Sequence, residues 1–581
     1  MYGRRSRHPL RGVISGALRL SCVAALSCVL AALPALGGER LARLDQHGRW
    51  LLDPQGRVVM LRGGNLQLPG HAHPKRHAGS PNADTPRQLA AQGFNAVRLV
   101  LFFDRLMPEP GEVDSAYLEE IGRAVAAYRE AGVYVLLDVH QDEYGPAVGV
   151  RGMPAWATFA DGHEPQRRPF PAGYFADPAI HAAFDNFWRN HPVPGSGKGV
   201  QDLYIDGLVA LAARFRDETA VFGIDVMNEP FPGSRCNQPD PVSSHCPELE
   251  QELLAPFYAR AGDAIAAAAP QTIVFVEPFM LQGALGIPIA TPPPGERAKR
   301  GLSFHQYGTF AEIRKRGNDY LMQRALEIGA APLNTEWGFT NDPAVWAAQA
   351  GEFDALLIPW LAWARGDFAP IVDPRLPPSG NDNREATLRA LARPYPRATA
   401  GTPVSLAFDG ASGTLEYRYV PIAPGDRPLA GDTEIVLPPA NFPSGGSVEV
   451  ANARVLSAPG EPLLRIAADA GAAEVRVRVV RTGVLPELPP IVATVDPYAH
   501  LASGKPAPAA RDGALSTNSL VGDLLRDSRS RAILEREVPA LVSSPQIGMG
   551  SQMSLRAMQP FVPELLDDAV LERIERALLA L

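Results

Sequence analysis

Short apolar runs recur between about residues 47 and 395, and each ends in polar or aromatic residues: "VVMLRGGN", "FNAVRLVLFF", "VYVLLDVH", "VFGIDVMNE", "TIVFVEP", "LSFHQYG", "PLNTEWG" and "IPWLAWA". Apolar runs without alternation belong to strands buried on both faces, the pattern of a parallel sheet. Between them, "SAYLEEIGRAVAAYREAG", "VQDLYIDGLVALAARFRD" and "LEQELLAPFYARAGDAIAAAA" carry apolar residues at helical spacing and start near Ser, Asp or acidic clusters, as helices do. Such alternation either closes into a (β/α)8 barrel or opens into a doubly wound sheet. No Gly-rich phosphate loop follows the first run, and residues capable of chemistry follow nearly every run. The barrel, whose loops all open on one face, is therefore the expected fold for residues 37–395.

The chain has 581 residues, 46% hydrophobic and 20% charged, with a net charge of −8. This is the balance of a soluble globular protein too long for one ordinary domain. Phosphate-binding faces need concentrated Lys and Arg, and no basic run follows the first dozen residues, so nucleic acid is not an expected partner. The pattern changes at about residue 396. There "PVSLAFD", "TLEYRYV", "TEIVLP", "SVEVANARVLS", "PLLRIAA" and "EVRVRVV" alternate in period two between Gly, Pro, Asn and Asp, which predicts a small β-sandwich over 396–481. A Pro- and Ala-rich linker over 482–516 and a small helical module over 517–581 follow, the latter with Leu571, Ile574 and Leu578 at helical spacing.

The first residues, "MYGRRSRHPLRG", are basic and lead into an apolar stretch ending "LPALGG", the layout of a secretory signal over 1–36 with cleavage near Ala35. An uncleaved anchor is the alternative, although Arg19 interrupts the apolar run. The expected location is secreted or periplasmic. Cys22 and Cys28 would leave with the signal. Cys236 and Cys246, in "SRCNQPDPVSSHC", are expected to close a short disulfide loop; their spacing and the single His245 fit no zinc pattern well.

The run "VFGIDVMNEPF" ends in Asn228, Glu229 and Pro230. A carboxylate is costly to desolvate, so a glutamate placed where a core strand stops calls for a use. Pro230 biases Glu229 towards an extended backbone, and Asn228 offers an amide to a sugar hydroxyl. "NTEWG" ends another run in the same style and makes Glu336 the partner. Glycosidic cleavage commonly needs two carboxyl groups in different protonation states; a gap of roughly 5 Å gives retention, and about 6.5–9.5 Å gives inversion. The two glutamates fall on the fourth and seventh runs. Arg98 is a charge inside an apolar run, where a buried guanidinium either holds a carboxylate ionised or makes a structural ion pair. His140, Gln141 and Asp142 come together in "DVHQDEYG", and His305 and Tyr307 in "FHQYG", for sugar-hydroxyl binding or orientation of the glutamates. Trp363 in "WLAWA" and Trp156 in "GMPAWATFADG" offer ring faces to a sugar. Glu277 in "FVEPF" imitates a catalytic acid, and its expected role is to orient a neighbour or contact solvent.

In order, "RGGN", the Arg98 strand, "DVHQD", "MNEP", "FHQYG" and "NTEWG" resemble the family 5 glycoside hydrolases of the cellulase-like clan over residues 47–395. "HQDEYG", "GMPAWATFADG", "LYIDGLVALAARFRDETAVFGIDVMNEP" and "TAGTPVSLAFDGASGTLEYRY" resemble the characteristic stretches of its endoglycoceramidases. The resemblance implies a retaining enzyme without metal or cofactor, with Glu229 as acid/base and Glu336 as nucleophile. It implies a sugar site lined by Asn65, His140, Asp142, Trp156, Asn228, His305, Tyr307 and Trp363. The implied substrate is a glycosphingolipid, cut at the β-bond between glycan and ceramide. Transient contact with micelles or a membrane surface is expected, as is an apolar groove at the barrel mouth with Phe231, Phe279 and Leu281 as its candidates. Alternatives are the same chemistry in a glucosylceramidase, a steryl glucosidase or an endo-β-glucanase, and a non-catalytic carbohydrate-binding protein, which the presence of both glutamates disfavours. "LQLPGHAHPKRH" does not place the family's basic sugar contact, so Lys75 is unassigned, and the helical tail is not part of the usual architecture.

Overall fold

A computed structural model describes residues 41–68, 82–168, 170–171, 173–174, 177–235, 247–280, 286–307, 311–338, 342–363, 368–372, 383–492, 515–542, 554–559 and 565–581. The N-terminal apolar stretch, Lys75, Cys236, Cys246 and Leu281 lie outside these residues. Eight parallel strands close into a barrel: β1 (Arg62–Gln67), β2 (Ala96–Phe102), β3 (Tyr134–His140), β4 (Val221–Asp225), β5 (Ile273–Val276), β6 (Lys299–Gln306), β7 (Ala331–Trp337) and β8 (Trp360–Ala362). They coincide with the eight apolar runs, and β8 pairs with both β7 and β1 to complete the ring. Every residue of β2 and β3 is buried, because one face packs on helices and the other fills the barrel.

The helix Ser115–Glu130 shows how the outer layer forms. The Asp114 carboxylate accepts from the N–H groups of Ala116 and Tyr117, satisfying donors that have no partner within the helix. Its buried residues Tyr117, Ile121, Val125 and Tyr128 recur at the helical period and face the strands. Where the strands begin, Leu44 and Leu51 join Ala96, Tyr134, Phe222, Ile273 and Ala331 in one apolar cluster. That end is plugged, so open chemistry is left to the other end of the barrel.

Two antiparallel sheets follow the barrel. One holds Thr402–Asp409, Thr414–Val420, Val475–Arg481 and Gly446–Ala451. The other continues Tyr395–Thr399, Thr433–Val436, Leu463–Ala468 and Ala453–Val455 with three N-terminal strands, of which Val58–Val59 pairs with Ala398 and Thr399. "SVEVANARVLS" breaks at Asn452, whose φ is 62°, and its halves enter different sheets. Arg62 and Arg393 both clamp the buried Asp354 carboxylate at 2.6 Å, and Arg393 also donates to the Phe408 carbonyl at 3.0 Å. This triad joins β1 to the sandwich. In the tail, helices Val521–Arg526, Ser528–Glu537 and Asp568–Leu578 share an apolar core that includes Leu571, Ile574 and Leu578. No helix among the described residues is long and apolar enough to cross a membrane.

Asp354→Ala leaves two buried guanidinium groups without their carboxylate. A stability loss of about 3–5 kcal/mol is expected, read as a lower urea midpoint, and an unchanged midpoint would refute this role for the triad.

Candidate active site

Beyond β4 the chain crosses the barrel mouth at Asn228 and Glu229. Gln141, just past β3, donates its amide to the carbonyls of Asn228 (2.9 Å) and Glu229 (2.8 Å), and Asn228 donates its own to the Gln141 carbonyl (3.0 Å). Past β5, the Glu277 carboxylate accepts from the Glu229 N–H at 2.9 Å. Held in this way, Glu229 has a φ of 44°, in the left-handed region, rather than the extended backbone expected from Pro230. The preference before proline is local and steric, of order 1–3 kcal/mol. Three buried hydrogen bonds to the two peptides that flank the Glu229 Cα, one of them to a carboxylate, outweigh it.

Glu336 is aimed by a different device. The register of β7 against β6 slips between Asn334 and Glu336, a bulge that breaks the alternation of faces. Thr335 and Glu336 therefore both meet interior partners: the Thr335 hydroxyl lies 2.5 Å from the Ser303 hydroxyl, and Glu336 faces Arg98 and Tyr307. Arg98 Nη1 donates to Glu336 Oε1 at 2.5 Å and the Tyr307 hydroxyl donates to Oε2 at 2.8 Å. His305 Nδ1 lies 2.7 Å from Glu229 Oε1 and 3.6 Å from Glu336 Oε2. One ligand atom from each of Glu229, His305 and Glu336 lies within 4.8 Å of the others, the one such trio among the described residues with the spacing to hold a metal ion. All three are already engaged with one another or with Arg98 and Tyr307.

Burial pushes the Glu229 carboxyl up to about 7, with the Glu336 charge adding to the rise and the His305 hydrogen bond opposing it. Burial alone would lower His305, but the carboxylates of Glu277, Glu336 and Glu229 hold it well above its ordinary range. The reverse holds at Glu277, where burial is outweighed by His305 and Arg98 and the carboxyl falls to about 2. Two like side chains beside one imidazole thus differ widely in proton affinity, and Glu229 is the one of the two that can hold a proton near neutral pH.

On the neighbouring side of the mouth, His140 lies between Asp138 (2.8 Å) and Asp142 (3.5 Å). Burial would depress it, and the two aspartates raise it to about 9 instead. Its ring stacks on Trp363 with a 5.4 Å centroid separation and an interplanar angle of 4°. Arg151 bonds Asp142 at 2.5 Å and lies over the Trp363 ring, so this wall combines a flat ring with charged donors and acceptors. Sugar rings pack on such aromatic faces while their hydroxyls bond at the rim.

Other expected residues are placed differently. The Asn65 amide donates to the carbonyls of Thr335, Leu361 and Ala362, and its oxygen accepts from Arg98, so it braces the machinery from within. Trp156 donates to the Met107 carbonyl and packs edge-on to Phe103, in the layer outside the strands. Phe231 is buried among Tyr174, His181 and Phe184, and Phe279 is buried beside Trp188, so neither lines an apolar groove as expected. Their rings are consumed by the core. Asp138, Arg151, Asp225 and Ser303 are site residues that the sequence reading missed. The signal for Asp138 and Asp225 was present, since each interrupts an apolar run as Arg98 does.

A family model for cellulase (glycosyl hydrolase family 5) matches residues 52–368, and one for the glycoside hydrolase family 5 C-terminal domain matches residues 393–479. Endoglycoceramidase I of Rhodococcus hoagii is 33% identical over 475 residues, covering 76% of this chain and 89% of that protein. The solved structure of endo-glycoceramidase II from Rhodococcus sp. in a ganglioside GM3 complex is 27% identical, with a TM-score of 0.61 and coverage of 75% of this chain and 99% of that one. The crystal structure of an endogalactoceramidase is also 27% identical, with a TM-score of 0.59 and coverage of 76% and 100%.

Arg98 is fully buried and its planar fork serves several acids at once. Arg98→Lys keeps a charge but not the fork, and is expected to cost about 2–3 kcal/mol. Urea denaturation measures this, and a wild-type midpoint would show that a point charge suffices.

Proposed function

The chain belongs to glycosyl hydrolase family 5, and from that premise we propose that it is an endoglycoceramidase-like enzyme that cuts the β-glycosidic bond between the glycan and the ceramide of glycosphingolipids. The observation that carries the mechanism is the close pair: carboxylate oxygens of Glu229 and Glu336 lie within 4.8 Å of each other. That gap suits a covalent glycosyl-enzyme and leaves too little room for a water between carboxylate and sugar, so retention is the outcome it supports. Glu336, aimed by Arg98 and Tyr307 through separate oxygens, attacks the anomeric carbon as the ceramide oxygen leaves. Glu229 supplies that oxygen with its proton. With His305 donating to Oε1, the Glu229 proton belongs on Oε2. In the second half, Glu229 as carboxylate takes a proton from water, which attacks the anomeric carbon and releases Glu336.

The glycolipid substrate is supported by the similarity to relatives named as endoglycoceramidases across most of their length. Micelle or membrane contact is supported at the rim beside Asp142. There Phe170 is 50% exposed and Val150 is 37% exposed, next to a turn whose Pro146, Ala147 and Gly149 carbonyls are held by Arg167. Export guided by the basic and apolar N-terminus, with a Cys236–Cys246 bridge, belongs to the same reading; N-terminal sequencing of exported protein, expected to begin after Ala35, tests it.

Mass analysis of a mixed glycosphingolipid panel should show intact oligosaccharide and free ceramide, and release of glucose alone would overturn the endo assignment. Glu336→Gln is expected to lower kcat by about 10⁴-fold or more while the protein stays folded; wild-type turnover would end the proposed mechanism. Because Glu229 must be protonated in the first step and its carboxyl sits at about 7, kcat/KM is expected to fall as pH rises through about 7. A pH profile flat to 9 would contradict it.

A further inference from the structure

Glu277 is fully engaged with the site, yet the proposed cycle gives it no proton to move and no bond to form. Its Oε2 accepts from the Glu229 N–H at 2.9 Å. Its Oε1 lies 3.0 Å from Arg98 Nη2, 3.3 Å from the Ser303 hydroxyl and 3.3 Å from His305 Nε2. One carboxylate thus touches the backbone of one glutamate, the guanidinium that aims the other, and the imidazole between them. The Tyr258 hydroxyl, from the helix Ala255–Ala268, donates to the Glu277 carbonyl at 2.9 Å and fixes the residue from behind. We propose that Glu277 is a positioning residue for the reaction: its Oε2 holds the Glu229 peptide in its strained turn, while its Oε1 fixes Arg98 and His305 against the two reacting carboxyls. This rests on the roles proposed above for Glu229 and Glu336.

Two physical consequences follow. Without the Glu277 carboxylate, the Glu229 N–H loses a charge-assisted bond, and the left-handed turn is left to the Gln141 clamp and its weaker neutral bonds. A carboxyl group displaced by even 1 Å loses much of its value as a proton donor to a fixed oxygen. The second consequence is electrostatic. The groups facing Glu277 and His305 are Arg98 from β2, Asp225 and Glu229 at and beyond β4, Ser303 and Tyr307 at and beyond β6, Glu336 from β7, and Tyr258; Asp138 from β3 faces Arg98 and Asp225, and Asp142 and Tyr174 face Glu229. Among the charges holding the proton on His305, Glu277 is the foremost. Removing that charge loosens the His305 proton. A neutral His305 no longer favours the Glu229 carboxylate, so Glu229 keeps its proton to higher pH.

The test is Glu277→Gln, which preserves size, assayed on a fluorescent lactosylceramide. The expected result is a kcat about 10²-fold lower with KM within about threefold, and a basic limb of kcat/KM moved to higher pH. Glu277→Asp keeps the charge and shortens the reach, so it should lose kcat while its basic limb stays at the wild-type position. Should both variants fail to fold, the wild-type protein still decides. In ¹⁵N-histidine NMR, His305 should keep its second proton above the ordinary imidazole titration range, and a ring that titrates within or below that range overturns the proposal. Wild-type kcat and an unmoved limb in a folded Glu277→Gln overturn it as well, as does a loss of activity that only mirrors loss of folded protein. An active Glu336→Gln would refute the mechanism beneath it, whereas an inactive Glu336→Gln with an unaffected Glu277→Gln would refute this inference alone.

Discussion

The site is organised around one buried guanidinium. Arg98, on β2, contacts Asp138 on β3, Asp225 on β4, Glu277 beyond β5 and Glu336 on β7, each at 3.0 Å or less, and also bonds Asn65 on β1 and Asn228 beyond β4. Several buried acids without a cation would cost many kcal/mol in desolvation and mutual repulsion, and a guanidinium is the side chain whose donors spread widely enough to meet them. Arg98 does not satisfy them completely. Burial, with the Glu277 charge beside it, pushes the Asp225 carboxyl well above its ordinary value, against the opposing pull of Arg98.

Strain gathers where this network meets the cleft. The left-handed turn at Glu229 and the register slip before Glu336 both depart from regular strand geometry. Each departure is secured by partners from other strands: Gln141 and Glu277 for the turn, Ser303, Arg98 and Tyr307 for the slip. Irregular backbone placed on a rigid barrel aims a side chain more sharply than a flexible loop does. The plugged opposite end, closed by Leu44 and Leu51, and the Arg62–Asp354–Arg393 triad supply much of that rigidity.

The barrel was legible because its strands are buried on both faces and so read as apolar runs, and because Glu229 and Glu336 end two of them. The sandwich was legible by its period of two, although the N-terminal strands that extend its sheet were not. Val58–Val59 is short, and its partners Ala398 and Thr399 lie far away in sequence, a pairing that local patterns do not encode. At the site, strand-end position pointed to His140, His305 and Tyr307 and a charge inside an apolar run pointed to Arg98; Arg98, His305 and Tyr307 lie around Glu229 and Glu336, and His140 lies on the neighbouring wall. The turn at Glu229 was misjudged because a local proline preference was weighed without the Gln141 and Glu277 bonds that overrule it. Phe231 and Phe279 were misassigned for a related reason: exposure depends on tertiary packing, and an aromatic residue after a strand looks the same whether it faces the cleft or the helices.

The two glutamates share one residue type and one cleft, so their division of labour comes from their partners. Glu336 receives one donor on each oxygen, from Arg98 and Tyr307, which suits a carboxylate that must form a bond at a fixed angle. Among the described residues, Glu229 receives a single side-chain donor, His305, on Oε1. Its second oxygen is left for a proton, and burial makes that proton favourable up to about pH 7. His305 is what keeps this value from climbing further. A carboxyl raised by burial alone would hold its proton too tightly to release it to the leaving oxygen, and one fully paired with cations would never acquire it. The opposition of a desolvated position and one imidazolium sets Glu229 between these limits, where it can serve as acid in the first half of the cycle and as base in the second.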